Sequence, residues 1–195
     1  MSYVRECRTG VRPAETRLSQ AVAKQPNWRS FGFALVVGLP AALLPTASLG
    51  AGTLVTYTGA SPPGTIVVRT AERRLYLVLG DGQAMRYKVG VGRADRQWAG
   101  KSYIVGKYLS PNWAPPAAVK RDRPGLPDFI PGGAPNNPMG VAAMTLSGGE
   151  YAIHGTNRPN SVGGFVSYGC IRMYNPDIVD LYRRVQLGTP VVVLP

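Results

Sequence analysis

Cys170 and His154 are the two residues of this chain best equipped for covalent chemistry. They lie in the runs Ser167-Tyr168-Gly169-Cys170-Ile171-Arg172-Met173 and Ile153-His154-Gly155-Thr156-Asn157, sixteen positions apart. A thiol attacks as its thiolate, and an imidazole within reach can take the thiol proton. Taken singly, a free cysteine is most often a small buried hydrophobe, and a lone histidine a satisfied structural residue. Two features favour chemistry for the pair. His154 is the sole histidine of the chain, so no other imidazole can serve. Both residues also lie in polar, glycine-rich, loop-like runs, where catalytic groups concentrate. Gly169, just before the thiol, relaxes the local backbone limits and lets a substrate approach closely. One histidine and two cysteines do not make a four-ligand structural zinc site.

The elements that must hold these residues read as mostly β. Strands are expected over 65–70, 74–79 and 83–89, the last two joined by Asp81-Gly82, a strong hairpin signal. Further strands are expected over 102–109, 141–146 and 150–153, the last delivering His154 at its end, and a final one over 189–194. Asn175 reads as a helix N-cap with Pro176 at the first helical position. Ile178, Leu181, Tyr182 and Val185 then recur at helical spacing and form a core stripe. Between Ser110 and Pro138 lie eight of the chain's 18 prolines, with Trp113 and Phe129. So long a loop is usually either functional or disordered. Its aromatics favour a flap packed on the active-site face over a surface excursion.

Composition sets the outer bounds. The 195 residues suit one domain plus a leader. Residues 1–50 read as a signal peptide or leader. An apolar run from Phe31 to Leu44 follows Lys24 and Arg29, and small residues before Ala51 offer a cleavage site. The run is too short, and too broken by Gly38 and Pro40, for a good membrane span. Residues 51–64 read as a linker and 65–195 as the folded domain. Cys7 belongs to the leader, which leaves Cys170 without a disulfide partner. The net charge of +12 suits an anionic polymer. The basic residues are scattered and no nucleic-acid motif accompanies them, so a wall-facing or solubilising role is the better reading.

The chain from about Thr65 onward resembles the L,D-transpeptidase catalytic domain of the YkuD type. The resemblance rests on His154-Gly155, then Ser167, Gly169, Cys170, Ile171 and Arg172. Arg74-Leu75-Tyr76-Leu77, Val89-Gly90-Val91-Gly92, Trp98-Ala99-Gly100, Pro111-Asn112-Trp113, Asn137-Pro138-Met139-Gly140 and Asn175-Pro176-Asp177 extend it. It implies a β-sandwich with one short helix after the nucleophile and a long Pro-rich flap. It also implies acyl transfer from a tetrapeptide stem of peptidoglycan, with loss of terminal D-alanine, to an amine acceptor. Cys170 would be the nucleophile, His154 the proton carrier and Gly155 the backbone carbonyl that orients it. Gly169 and Cys170 would offer oxyanion donors. Arg172, Ser167, Tyr168, Asn157 and Trp113 are the substrate-binding candidates, with Tyr151 a weaker one. The family often has His or a small residue where Tyr168 stands, which reads as a changed pocket wall. The cycle needs no cofactor and no metal.

The implied partners are peptidoglycan stem peptides and, as one acceptor, a wall-anchored lipoprotein. No nucleic acid is implied, and contact with the membrane is through the leader alone. The implied location is outside the cytoplasm, in the periplasm or cell wall. Two alternatives stay open on the residues: an L,D-carboxypeptidase or amidase using the same site, and a non-catalytic wall-binding module.

Overall fold

A computed structural model describes residues 52–195; the leader expected over 1–50 lies outside the described residues. Alternating apolar runs bounded by glycine turns give strands β1 (Thr53–Thr56), β2 (Ile66–Arg69), β3 (Arg74–Gly80), β4 (Gln83–Gly92) and β5 (Gly100–Leu109). Helix α1 (Ala117–Asp122) is followed by β6 (Ala142–Leu146), β7 (Ala152–His154), β8 (Phe165–Ser167), β9 (Ile171–Met173), α2 (Asn175–Arg184) and β10 (Pro190–Leu194). The β3–β4 hairpin turns on Asp81 and Gly82, both at positive φ (49° and 68°), as a two-residue turn matching strand twist requires.

The strands pair in the order β1-β4-β3-β2-β10-β5-β6-β7-β9, and β9 pairs back onto β4. The sheet therefore closes on itself, which removes most of its edges. The ten-residue β4 makes closure possible. Its first half pairs with β1 and β3. Its second half pairs with β9 at Val89↔Met173 and Gly90↔Arg172, and with β8 at Val91↔Phe165 and Gly92↔Ser167. The interior is filled from every side by residues such as Leu75, Tyr87, Ile104, Met144, Ile153, Ile171 and Met173, and α2 lays Ile178 and Leu181 onto them. Each such side chain contributes about 1.5–3 kcal/mol when fully buried. The fold is thus mostly β, as expected, with α2 following the cysteine after β9.

Several expectations change in detail. The segment expected to be a linker carries β1, and Tyr57 just beyond it covers a second small cluster with Val67, Val78 and Ala84. Short strands β8 and β9 were not anticipated: three residues are too few for a period to show. Asn175 is the first residue of α2 and makes no capping bond to it. Its Oδ1 instead accepts the Thr156 N–H at 2.9 Å, which ties the start of α2 to the turn after His154. Val185 lies just past the helix end.

The Pro-rich segment is ordered by devices suited to a backbone short of donors. Trp113 and Ile130 exchange both backbone hydrogen bonds, at 2.9 and 2.8 Å, and fold the segment back on itself. Asn137, 1% exposed, donates Nδ2 to the Pro111 and Pro131 carbonyls and accepts the Met139 N–H. The segment also holds α1, which the prolines around it had masked in the sequence.

Candidate active site

Parallel pairing of β7 with β9 brings the histidine and cysteine runs together. The register is Ile153↔Ile171 and His154↔Arg172. Side chains alternate across a strand. Ile153, Ile171 and Met173 point into the core, so His154, Arg172 and, one step before β9, Cys170 belong to the opposite face. A separation of sixteen residues in the chain becomes a side-by-side placement on two adjacent strands.

His154 is 4% exposed. Its Nδ1 lies 2.6 Å from the Gly155 carbonyl oxygen. A carbonyl only accepts, so Nδ1 carries the proton and Nε2 is left with a free lone pair. Burial, reinforced by the Arg172 guanidinium, depresses the imidazole pKa to about 4, against the pull of the Gly155, Met139 and Pro138 carbonyls. Burial likewise pushes the Cys170 thiol up, although the Ala152 backbone and Arg172 oppose it. The thiol is 3.9 Å from the Glu150 carbonyl oxygen. At neutral pH the two groups therefore rest as thiol and neutral imidazole.

The loop that carries Cys170 is pinned at Ser167, Gly169 and Cys170. Arg93 N–H donates to the Ser167 carbonyl at 3.0 Å. Ser167 Oγ donates to the Cys170 carbonyl at 2.6 Å and accepts the Gly169 N–H at 3.0 Å. Trp98 Nε1 donates to the Gly169 carbonyl at 2.9 Å, and its ring stacks on Tyr151 with centroids 4.9 Å apart. Gly169 has φ +119°, and a Cβ there would stand 2.3 Å from the Tyr151 ring. Only glycine fits, which is the physical reason for glycine before the thiol.

These contacts revise some expected roles. Ser167 is 1% exposed and spends its hydroxyl inside the loop, so it braces the loop and does not face a substrate. The Gly169 N–H, expected as an oxyanion donor, already donates to Ser167 Oγ inside the loop. Tyr168 points its hydroxyl at Asp122 of α1 at 2.6 Å. Asn157 is exposed and reaches the Pro135 carbonyl at 3.4 Å. Trp113 is engaged with Ile130 within the Pro-rich segment. Arg172 is half-buried, and its Nε has no hydrogen-bond partner among the described residues. The sequence reading overlooked Trp98 and Asn175. Trp98-Ala99-Gly100 and Asn175-Pro176-Asp177 were visible as family-like runs, but nothing local said what either side chain touches.

Comparison with known proteins agrees with this geometry. The family model for the L,D-transpeptidase catalytic domain (YkuD) matches residues 63–193. The probable L,D-transpeptidase ErfK/SrfK of Escherichia coli K12 is 38% identical over 138 residues, which covers 66% of this chain and 43% of that protein. The putative L,D-transpeptidase YkuD of Bacillus subtilis 168 is 32% identical over 152 residues, covering 75% of this chain and 78% of that one. Among solved structures, the catalytic domain of an Enterococcus faecium L,D-transpeptidase superposes with a TM-score of 0.54 at 20% identity, over 70% of this chain and all of that one. The chain spans less than half the length of the E. coli relative. Pairing of the His154 and Cys170 strands on one closed sheet, and the match from residue 63 to residue 193, together mean that this chain belongs to the YkuD family of L,D-transpeptidase catalytic domains.

Proposed function

We propose that the protein is a peptidoglycan L,D-transpeptidase acting outside the cytoplasm, with Cys170 as nucleophile and His154 as proton carrier. The observation that carries the reading is the hydrogen bond of His154 Nδ1 to the Gly155 carbonyl, on the strand face shared with Cys170. It fixes the tautomer that a general base needs.

In the first half of the reaction, Cys170 Sγ attacks the carbonyl that joins the third residue of a tetrapeptide stem to its terminal D-alanine. The thiol proton passes to His154 Nε2. The sulfur–carbon bond forms, the carbon–nitrogen bond breaks, and His154 returns the proton to the leaving amine. In the second half, an acceptor amine attacks the thioester. Its surplus proton passes through His154 to the departing sulfur, and the thiol is restored. The Cys170 amide faces the developing oxyanion, where one such donor contributes about 2.7–4 kcal/mol. The imidazolium formed in each half is stabilised by the carbonyls of Gly155, Met139 and Pro138. Arg172, on the strand face shared with Cys170, suits a carboxylate of the stem peptide, which a guanidinium holds with two parallel bonds.

The test is mass spectrometry of disaccharide-tetrapeptide incubated with the protein and with its Cys170→Ala variant. A cross-linked dimer that requires Cys170 is the expected product. Tripeptide without dimer would make water the acceptor and the enzyme a carboxypeptidase. No product from either protein would turn the reading toward a wall-binding module.

A further inference from the structure

Tyr168 sits between the two residues that brace the catalytic loop, yet its own side chain leaves that loop. Its hydroxyl donates to Asp122 Oδ2 at 2.6 Å. Asp122 is the last residue of α1, in the Pro-rich segment. The same carboxylate oxygen accepts Arg93 Nη2 at 3.2 Å, and the Arg93 guanidinium lies over the Tyr168 ring, 4.3 Å from its centroid. Arg96 stands 6.0 Å from that ring, and Asp95 holds the Arg93 Nε at 2.9 Å. Three parts of the chain thus meet at one phenol: the end of β4, α1 and the catalytic loop. The Tyr168 hydroxyl, then Arg93, also hold the Asp122 carboxyl below its ordinary range, so the carboxylate stays charged through the neutral range.

The other end of the same segment is fastened on the far side of the catalytic pair. Its Pro138 and Met139 carbonyls lie against the His154 ring, and Pro135 accepts Asn157 Nδ2. The segment is therefore tied on the cysteine side through Tyr168 and on the histidine side through residues 135–139. The second tie is largely backbone and is anchored by the buried Asn137. The first is made by side chains alone, Asp122 exposed and Tyr168 and Arg93 half-buried, and is the one that can open.

We propose that Tyr168, Asp122 and Arg93 form a clasp that docks α1 against the catalytic loop and so sets the access of the donor peptide to Cys170. The ring of Tyr168 supplies a flat face for the guanidinium, and its hydroxyl reaches the carboxylate. These are two contacts that a small side chain at this position would not make. Tyr168 is thus a positioning residue, acting through α1 rather than on the reacting atoms. That the opening leads to a peptide rests on the transpeptidase reading; that the clasp controls access to the thiol does not.

The experiment uses the full chain and two conservative variants, Tyr168→Phe and Asp122→Asn, singly and together. Iodoacetamide alkylation is followed at the peptide bearing Cys170, and amide hydrogen exchange over residues 117–123. Each single variant is expected to speed both by about three- to ten-fold, the range a single charge-assisted hydrogen bond near the surface supports. The double variant should fall short of the sum of the two, since the Tyr168–Asp122 contact is common to both, and Asp122→Asn in addition weakens the Arg93 pair. On disaccharide-tetrapeptide, KM should rise more than kcat falls. Unchanged alkylation and exchange, or effects of the two variants that add, would overturn the clasp whatever the kinetics do. Faster alkylation in the variants of a protein that makes no product would keep the clasp and remove the transpeptidase reading.

Discussion

At the scale of single residues, the site depends on burying an imidazole without charging it. His154 titrates at about 4 inside the fold and near 6.5 in an unfolded chain. Between those values the unfolded state binds the extra proton, so stability falls as pH drops from about 6.5 to about 4, and falls no further from this cause below that. The loss across the window is about 3 kcal/mol at most, at 1.36 kcal/mol per pKa unit. Urea unfolding measured from pH 7.5 to 3.5 should show this slope in the wild type and lose it in His154→Gln; parallel curves would mean that the imidazole is not held neutral. Trp98 offers a second case. Trp98→Phe keeps a ring against Tyr151 but removes the N–H that holds the Gly169 carbonyl. Stability should drop by about 1 kcal/mol, while turnover should fall further than that loss explains, because the freed carbonyl belongs to the peptide unit whose amide is that of Cys170. A variant with full turnover would make the indole a packing residue only.

At the scale of elements, the candidate catalytic groups come from places where one strand or loop hands over to another, and the joints are made by side chains from elsewhere. Asn175 shows this best. Its Oδ1 takes the Thr156 N–H, and it packs so closely that a Cβ on Gly155 or Gly140 would stand 2.3 or 2.4 Å from that oxygen. The start of α2 thereby fixes the turn after His154, including the carbonyl that orients the imidazole. Asn175→Ala leaves a partly buried amide without an acceptor, at a cost of about 1–3 kcal/mol. Thermal unfolding should register that cost, and kcat should fall with it. An unaltered kcat would show that the His154 turn holds itself. Asn175 also marks how far the sequence could be read. Asparagine followed by proline ahead of an apolar stripe correctly announced α2, and the hairpin at Asp81-Gly82 was equally plain, since both signals are local. Cys170 and His154 were legible as candidates because their chemistry is uncommon and each stood almost alone in the chain. The partner of Asn175, the use of Ser167 inside its own loop and the reach of Tyr168 to Asp122 were not legible. Each is a contact between segments distant in the chain, and local pattern carries no record of it. Strands β8 and β9 failed for the related reason that three residues are held by pairing to β4 and β7, not by their own periodicity.

At the scale of the whole molecule, everything converges on the seam where the sheet closes. β4 and β9 meet at Val89↔Met173 and Gly90↔Arg172, so the strand that completes the closed sheet is also the one that presents Arg172 and follows directly from Cys170. Closure and the candidate site share one backbone. Gly90 is the tightest point of that seam. A Cβ on it would stand 2.6 Å from the Ser161 carbonyl oxygen and 3.5 Å from the Arg172 Cβ. The first contact is backbone, which cannot swing aside as a long side chain can. Gly90→Ala must therefore displace either the 159–161 turn or β4 itself, and overpacking of this kind costs about 1–3 kcal/mol. Gly125 is the natural comparison, because an added Cβ there meets nothing within 4 Å. Gly125→Ala should unfold at the wild-type temperature with wild-type turnover, whereas Gly90→Ala should lose stability and turnover together. If the seam were only structural, a Gly90→Ala protein assayed well below its melting point would turn over normally. A fall in kcat under those conditions would place the strain on the β9 backbone that orders Cys170 and Arg172, and would show that the closed sheet holds the site in register.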